Sequence, residues 1–374
     1  MHPPLYVEVS SLGTRQLTGI GRLTARLVEA LARLTPLRLF STLPGPFRFD
    51  IRRSRPLRRG ELIAIATGDV AAIDGDLDAW VGALLRRPRC PVDAVAARAS
   101  ACVYTLFRPT ERHFAREVSV LYDFTPLVLP ATHLPQTVRD FGALFAALRH
   151  SDKAVAISQA TRADARWLCA LPSEDVVVSY PGPSLCARTH ASPAAVRRAR
   201  QLILVVSTLE PRKNPAFVRD WFLATDALDP GTELWWVGPH GWLWERTPAP
   251  RRRDRAIRFR GMLSDRELCE LYRRATFTLY ASLYEGFGFP VLDALLHGTP
   301  VVCSYNSSLK EFAGPGVFYF DPGDAASLDQ ACRDVLAAPP GVERPDLRLR
   351  CSWESLAHTV ASLCDIRVQP ARSS

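Results

Sequence analysis

Residues 281–305, ASLYEGFGFPVLDALLHGTPVVCSY, place two acids, Glu285 and Asp293, around a loop with two glycines and a proline. Backbone amides of Gly286, Phe287 and Gly288, followed at once by a helix start at Pro290, make an anion site. Unpaired N–H groups and the helix dipole both favour phosphate there. Glycine suits such a turn because a Cβ would hold a ligand away from the backbone. A carboxylate is a poor phosphate ligand, so the natural partners of Glu285 are hydroxyl groups, as in a sugar. Asp293, eight residues further on and within the helix, is placed to accept hydrogen bonds from a ribose diol. One strand-to-helix turn would then hold sugar, diphosphate and ribose in sequence. The plain alternative is an ordinary turn with a solvated acid at each end.

A second stretch, STLEPRKN, puts Arg212 and Lys213 just past a strand end, where ligands sit in open α/β sheets. Two adjacent cations can stabilise the charge that develops on a departing diphosphate; a basic, solvent-facing loop is the competing reading. A third, LTGIGR, has Gly19, Gly21 and Arg22 at the first strand–helix junction. It is half of a dinucleotide fingerprint, but Thr24 replaces the third glycine and the acidic residue expected about 20 positions on is missing. NAD binding is therefore rejected, leaving a glycine loop that admits a ligand or a plain tight turn.

The elements that would position these residues alternate along the chain as short apolar strands and amphipathic helices, the pattern of parallel α/β architecture. LYVEVSSL (5–12) reads as a first strand, followed by a helix from about Arg22. REVSVLYDFTPLVL, KAVAIS and VVVSYPGPS read as later strands with their exit loops, and 181–200 as a hinge. A second α/β unit opens with QLILVVSTLEPRKN. TELWWVG, TFTLYAS and VVCSY are its further strands, and SDRELCELYRRA is a helix with a capping box, Ser264 with Glu267. Pro290 fits the first turn of a helix that Gly298 closes.

At 374 residues the chain is long for one core, and two domains are expected. The formal charge of +9 points to anionic partners. Nine cysteines are scattered singly with no CxxC, so buried reduced thiols are expected rather than a disulfide framework or zinc site. No histidine shows metal-ligand spacing, and no metal is expected. No run approaches the ~20 apolar residues of a spanning helix. The opening residues also lack a secretory signal, so the expected location is cytoplasmic.

Taken together, TGIGR, VSTLEPRKN, FRGMLSDRELCELYRRA and ASLYEGFGFPVLDALLHGTPVVCSYNSSLKEFAG, with SWESLAHTV near the end, resemble the GT4-type retaining glycosyltransferases. The resemblance implies the GT-B fold, two Rossmann-like domains facing across a cleft. These would be residues 1–195 on the acceptor side and 196–351 on the nucleotide-sugar side, with a C-terminal helix, about 352–374, crossing back to the first domain. Carried over by position, Glu285 is the first acid of the family's E-x7-E motif and would hold donor-sugar hydroxyls. Amides at Phe287, Gly288 and Phe289 would approach the sugar and phosphates, and Arg212 and Lys213 would clamp the diphosphate. Gly261, Met262 and Leu263 would lie beside the base, and Gly21 would face the phosphate or acceptor from the first domain.

Three positions depart from that pattern. The motif here is E-x7-D, with Asp293 for the second glutamate. Tyr122 precedes Asp123 where the family often has a sugar-contacting histidine, which makes both possible sugar contacts. Ser207 stands where a glycine is common. The resemblance implies transfer of a sugar, mannose from GDP-mannose as first guess, to a glycan or lipid-linked oligosaccharide of bacterial surface polysaccharide, without a cofactor. UDP-sugars or GDP-fucose are alternative donors, and a nucleotide-sugar epimerase on the same fold is an alternative enzyme. Two arginine clusters, 47–60 and 251–255, are either solvated faces or, for the first with Phe47 and Phe49, a docking surface for anionic lipid. The latter would make the protein peripheral on the inner membrane face. An adaptor built on an inactive fold is the non-enzymatic alternative. Nucleic acid is not expected, because no recognition motif accompanies the charge.

Overall fold

The computed structural model describes residues 4–13, 19–42, 62–65, 79, 81–83, 89–106, 108–185, 201–243, 257–339 and 341–366. Both arginine clusters and the hinge residues 186–200 lie outside this set. Described residues fall into two compact units. The first comprises Met1–Tyr122, Phe141–Gly182 and Cys351–Ser374, and the second Asp123–Asp140 and Pro183–Arg350. The division thus falls at Gly182/Pro183 rather than at 195/196, and residues 123–140 group with the second unit.

Apolar runs became strands wherever both faces could be covered by helices, as parallel sheets require. In the first unit the strands are β1 (Leu5–Glu8), β2 (Leu37–Thr42), β3 (Leu62–Ile65), β4 (Arg89–Pro91), β5 (Ala101–Tyr104), β6 (Arg116–Leu121), β7 (Lys153–Ala156) and β8 (Val176–Val178). They form one sheet in the order β4-β3-β2-β1-β5-β6-β7-β8. Pairings from β2 through β8 are parallel. The expected all-parallel pattern fails at one edge, where β3 pairs antiparallel with both β2 and β4. Antiparallel neighbours can be joined without a crossover, and β3 and β4 are only four and three residues long, too short for a period to show in the sequence. The expected first strand is also shorter than read: after Glu8 the chain turns into a 3-10 segment, Ser10–Gly13.

Tyr6, Phe40, Tyr104 and Phe114 form an aromatic cluster in this unit's core. The helix Gly19–Ala32 buries Leu23, Leu27, Val28 and Leu31. The helix Trp353–Leu363 packs against it, burying Leu356, Ala357, Val360 and Ala361. Trp353 leaves room for nothing larger than glycine at 182, where a Cβ would lie 2.4 Å from its Cδ1.

The second unit's strands are β9 (Leu202–Val206), β10 (Glu233–Val237), β11 (Ile257–Phe259), β12 (Phe277–Tyr280), β13 (Val301–Ser304) and β14 (Val317–Phe320). Their order is β11-β10-β9-β12-β13-β14, parallel throughout. Ile203, Val205, Trp236, Phe277, Leu279 and Val302 fill its core. Parallel strands bring all their C-terminal ends to one edge, so the loops after β9, β10, β12 and β13 share it. The capping box opens the helix Asp265–Arg274 as expected. Of the cysteines described, six are buried, Cys169 is partly exposed, and none is bridged. Among the described residues no helix is long and apolar enough to cross a membrane.

Candidate functional site

The loops after β9 and β12 are stitched together at that edge. Leu283 N–H donates to the Arg212 carbonyl at 2.9 Å, and Arg212 returns a bond from its guanidinium to the Tyr284 carbonyl at 2.9 Å. This brings Arg212, Lys213 and Glu285 into one buried cluster. Arg212 Nη1 lies 2.9 Å from Glu285 Oε2, and Lys213 Nζ pairs with Glu285 Oε1. Lys213 also donates to the Tyr280 hydroxyl at 2.8 Å, and Arg212 donates to Glu210 Oε1 at 2.8 Å. Two cations and two carboxylates are thereby packed together, each less than a tenth exposed.

Burial raises the pKa of Glu285, but Arg212 and Lys213 outweigh it and hold the carboxyl at about 2. Burial also works against the charge on Arg212, yet Glu285, Glu210 and Asp123 raise its hold on the proton above the ordinary value. Burial and the charge on Arg212 bring Lys213 below the usual lysine value. Burial pushes Glu210 up. Glu285 is thus an ionised acceptor, fixed at neutral pH in a place where water cannot screen it.

The loop after β13 holds the backbone of the turn. Ser307 Oγ accepts from Glu285 N–H at 2.9 Å, and Ser308 Oγ donates to the carbonyls of Glu285 and Phe287 at 2.9 and 2.8 Å. Gly288 is the N-cap of the helix Phe289–Leu296 with φ +105°, a left-handed conformation that favours glycine. A Cβ there would also lie 2.8 Å from Leu309 Cδ2. Phe287 packs edge-on against Phe289 and Phe312, so its side chain faces the core.

Asp293, expected to face a ribose diol, has both carboxylate oxygens engaged inside the unit. Ser184 N–H donates to Oδ1 at 3.0 Å, Leu185 N–H to the same atom at 3.3 Å, and the Ser184 hydroxyl to Oδ2. The acid at the second motif position therefore anchors the segment 183–185, and a ribose contact there would have to share these donors.

The remaining expected residues are more dispersed. Gly261 has φ +61°, and its carbonyl accepts from Gly238 N–H at 2.8 Å, which ties the exposed Gly261–Met262 end of the β11 loop to the loop after β10. Leu263 is half-buried beside them. Ser207 is crowded: Trp236 Nε1 donates to its carbonyl at 3.1 Å. A Cβ at Gly238 would meet that carbonyl oxygen at 2.1 Å. Asp123 accepts from the Thr125 N–H and hydroxyl at 3.1 and 2.7 Å. Gly21 and Tyr122 belong to the first unit. Gly21 lies inside the first turn of the helix Gly19–Ala32 rather than in a loop before it. The Tyr122 hydroxyl is 3.3 Å from Thr24 Oγ1, and its carbonyl accepts from Thr161 at 3.0 Å.

Residues 200–338, which contain this cluster, match the family described as Glycosyl transferases group 1. Over that stretch the chain is similar to the group 1 glycosyl transferases. Among curated relatives, the chain is 30% identical to O-antigen chain mannosyltransferase B of Escherichia coli over 229 residues, 57% of this chain and 59% of the relative. It is 31% identical to a glycogen synthase of Mycobacterium tuberculosis over 276 residues, 67% of this chain and 65% of the relative. In both cases the match spans less than two thirds of the relative's length. Among solved structures, a sucrose-phosphate synthase of Thermosynechococcus elongatus superposes with a TM-score of 0.65 at 18% identity, covering 97% of this chain and 98% of that one. The expected GT-B fold of two α/β units is met.

Sequence reasoning missed Glu210 and Tyr280, which complete the cluster, and Ser184, which holds Asp293. Glu210 lies within the quoted STLEPRKN stretch and its charge was visible there. Tyr280 and Ser184 carry no local signal, because their roles depend on partners 67 and 109 residues away.

Proposed function

We propose that the protein is a GT4-type retaining glycosyltransferase that moves mannose from GDP-mannose to a hydroxyl of a glycan or lipid-linked oligosaccharide in bacterial surface polysaccharide synthesis. The observation that carries this reading is the buried Arg212–Lys213–Glu285 cluster beside the amide-lined turn at Gly286–Gly288. Arg212 and Lys213 supply positive charge for a departing diphosphate, and the start of the helix Phe289–Leu296 supplies amides and dipole. Glu285, held ionised between the two cations, accepts hydrogen bonds from sugar hydroxyls. The similarity to an O-antigen mannosyltransferase supports mannose. In this mechanism a donor phosphate oxygen takes the acceptor proton, so no protein nucleophile is needed, and the acceptor attacks the face that the diphosphate leaves. The leaving charge is met by Arg212 and Lys213 without a metal.

Thermal-shift screening against UDP-, GDP-, ADP- and TDP-sugars tests the reading. A true donor at about 100 times its Kd stabilises the fold by about 2.7 kcal/mol, and GDP-mannose is expected to give the largest shift. A panel in which no nucleotide sugar raises Tm would remove the enzymatic reading. Incubation with donor alone distinguishes a transferase from an epimerase, since only the latter would isomerise the sugar.

A further inference from the structure

His133 is the histidine that, among the described residues, has both ring nitrogens buried with no hydrogen-bond partner. It is 6% exposed and sits in the segment 123–140 that groups with the second unit. Its ring lies on that of Trp242, with centroids 5.2 Å apart and planes at 27°. Trp242 is itself pinned, donating from Nε1 to the Thr132 carbonyl at 2.8 Å. The loop bearing Trp242 abuts the cation loop: Gly241 N–H donates to the Leu209 carbonyl at 3.0 Å, and a Cβ at Gly241 would come 3.3 Å from Glu210 Oε2. The imidazole is therefore clamped by its face next to the Glu210–Arg212 stretch, with its polar edges unmet.

Buried polar groups without partners are uncommon and costly, and a rigid, stacked ring is how a binding site holds a group ready. A neutral imidazole offers one donor and one acceptor on different edges, the pair a sugar hydroxyl uses. Burial and the charge on Arg212 bring the pKa of His133 down to about 4, against a weaker opposing pull from Asp123. The ring thus stays neutral and adds no third cation for phosphate.

We infer that His133, held flat on Trp242, hydrogen-bonds a hydroxyl of the donor's sugar beside the diphosphate clamp. This inference rests on the donor reading given above. It assigns to residue 133 a contact with the sugar and not with the nucleoside diphosphate.

The test compares binding of GDP and GDP-mannose, and of UDP and UDP-glucose, by calorimetry to the full chain, to His133→Phe and to His133→Gln. Phenylalanine keeps the stack and removes both nitrogens; glutamine restores one donor and one acceptor. The expected result for His133→Phe is nucleoside diphosphate affinity within about twofold of the parent, with the matching nucleotide sugar bound about tenfold more weakly, the loss of roughly one good hydrogen bond. His133→Gln recovers part of that loss. Should the phenylalanine variant not fold, His133→Gln carries the same comparison, and weakening confined to the nucleotide sugar is again the expected result. Equal binding of the nucleotide sugar by parent and variants would overturn the inference while leaving the donor reading intact. Equal weakening of diphosphate and nucleotide sugar would also overturn it. A parent chain that binds neither sugar nucleotide would remove the donor reading and this inference with it.

Discussion

At the scale of single residues, the cluster works by mutual neutralisation in a place closed to water. The ordinary glutamate value is 4.5 and Glu285 is held at about 2, so below pH 4.5 the unfolded chain binds a proton that the folded chain refuses. The stabilisation this gives is fully present above about pH 4.5 and is lost as pH falls towards 2. The gap corresponds to about 3 kcal/mol. Glu285→Gln is expected to flatten the acid limb of the stability curve in that window, as read from urea titrations at a series of pH values. An unchanged acid limb would separate Glu285 from the two cations. Lys213→Ala is expected to lower kcat by a factor of about 10² or more, by analogy with removing one preorganised donor from a developing charge. Unchanged turnover in a folded variant would take the clamp out of the mechanism. Arg212, Lys213 and Glu285 were legible in the sequence because each sits where a strand meets a glycine- or proline-marked loop. His133 was not, since a lone histidine in a proline-bounded loop shows nothing of the tryptophan 109 residues later on which it lies.

At the scale of elements, the site depends on three loops from one sheet edge and on a helix that begins at a glycine. Gly288→Ala places a side chain at φ +105° and against Leu309. It is expected to cost about 1–3 kcal/mol from the backbone conformation alone and to weaken donor binding by displacing the amides. Calorimetry and a melting curve on the same variant check both. The boundaries of this helix and of the helix Asp265–Arg274 were readable because their caps are written locally, as Pro290 and Gly298 in one case and Ser264 with Glu267 in the other. The antiparallel edge β3–β4 was not, because β4 is three residues long and carries an arginine and a proline, too little for a strand period to show. Asp293 shows a different limit. Its chemical type and spacing fitted a ligand contact, yet the groups that satisfy it, Ser184 and Leu185, arrive from a part of the chain that local pattern cannot connect to it.

At the scale of the whole molecule, the chain builds the first unit from three separate stretches and the second from two. The helix Trp353–Leu363 contributes two large apolar side chains, Leu356 and Val360, to the first unit's interior, each worth about 1.5–3 kcal/mol of burial. A chain stopped at Arg350 is expected to lose amide protection in β1 and β5 while β9 and β12 keep theirs, as hydrogen exchange would show. Equal protection in both sheets would mean that the helix is dispensable. The alternation of strand and helix made both units foreseeable, but not their bookkeeping along the chain, since residues 123–140 gave no local sign of which sheet they serve. The interleaving also dictates an order of maturation. As the polypeptide emerges from the ribosome, every residue of the second unit is available before the first unit has received its closing helix. The portion made first is thus the portion finished last, and until then it is the part most in need of a chaperone's cover.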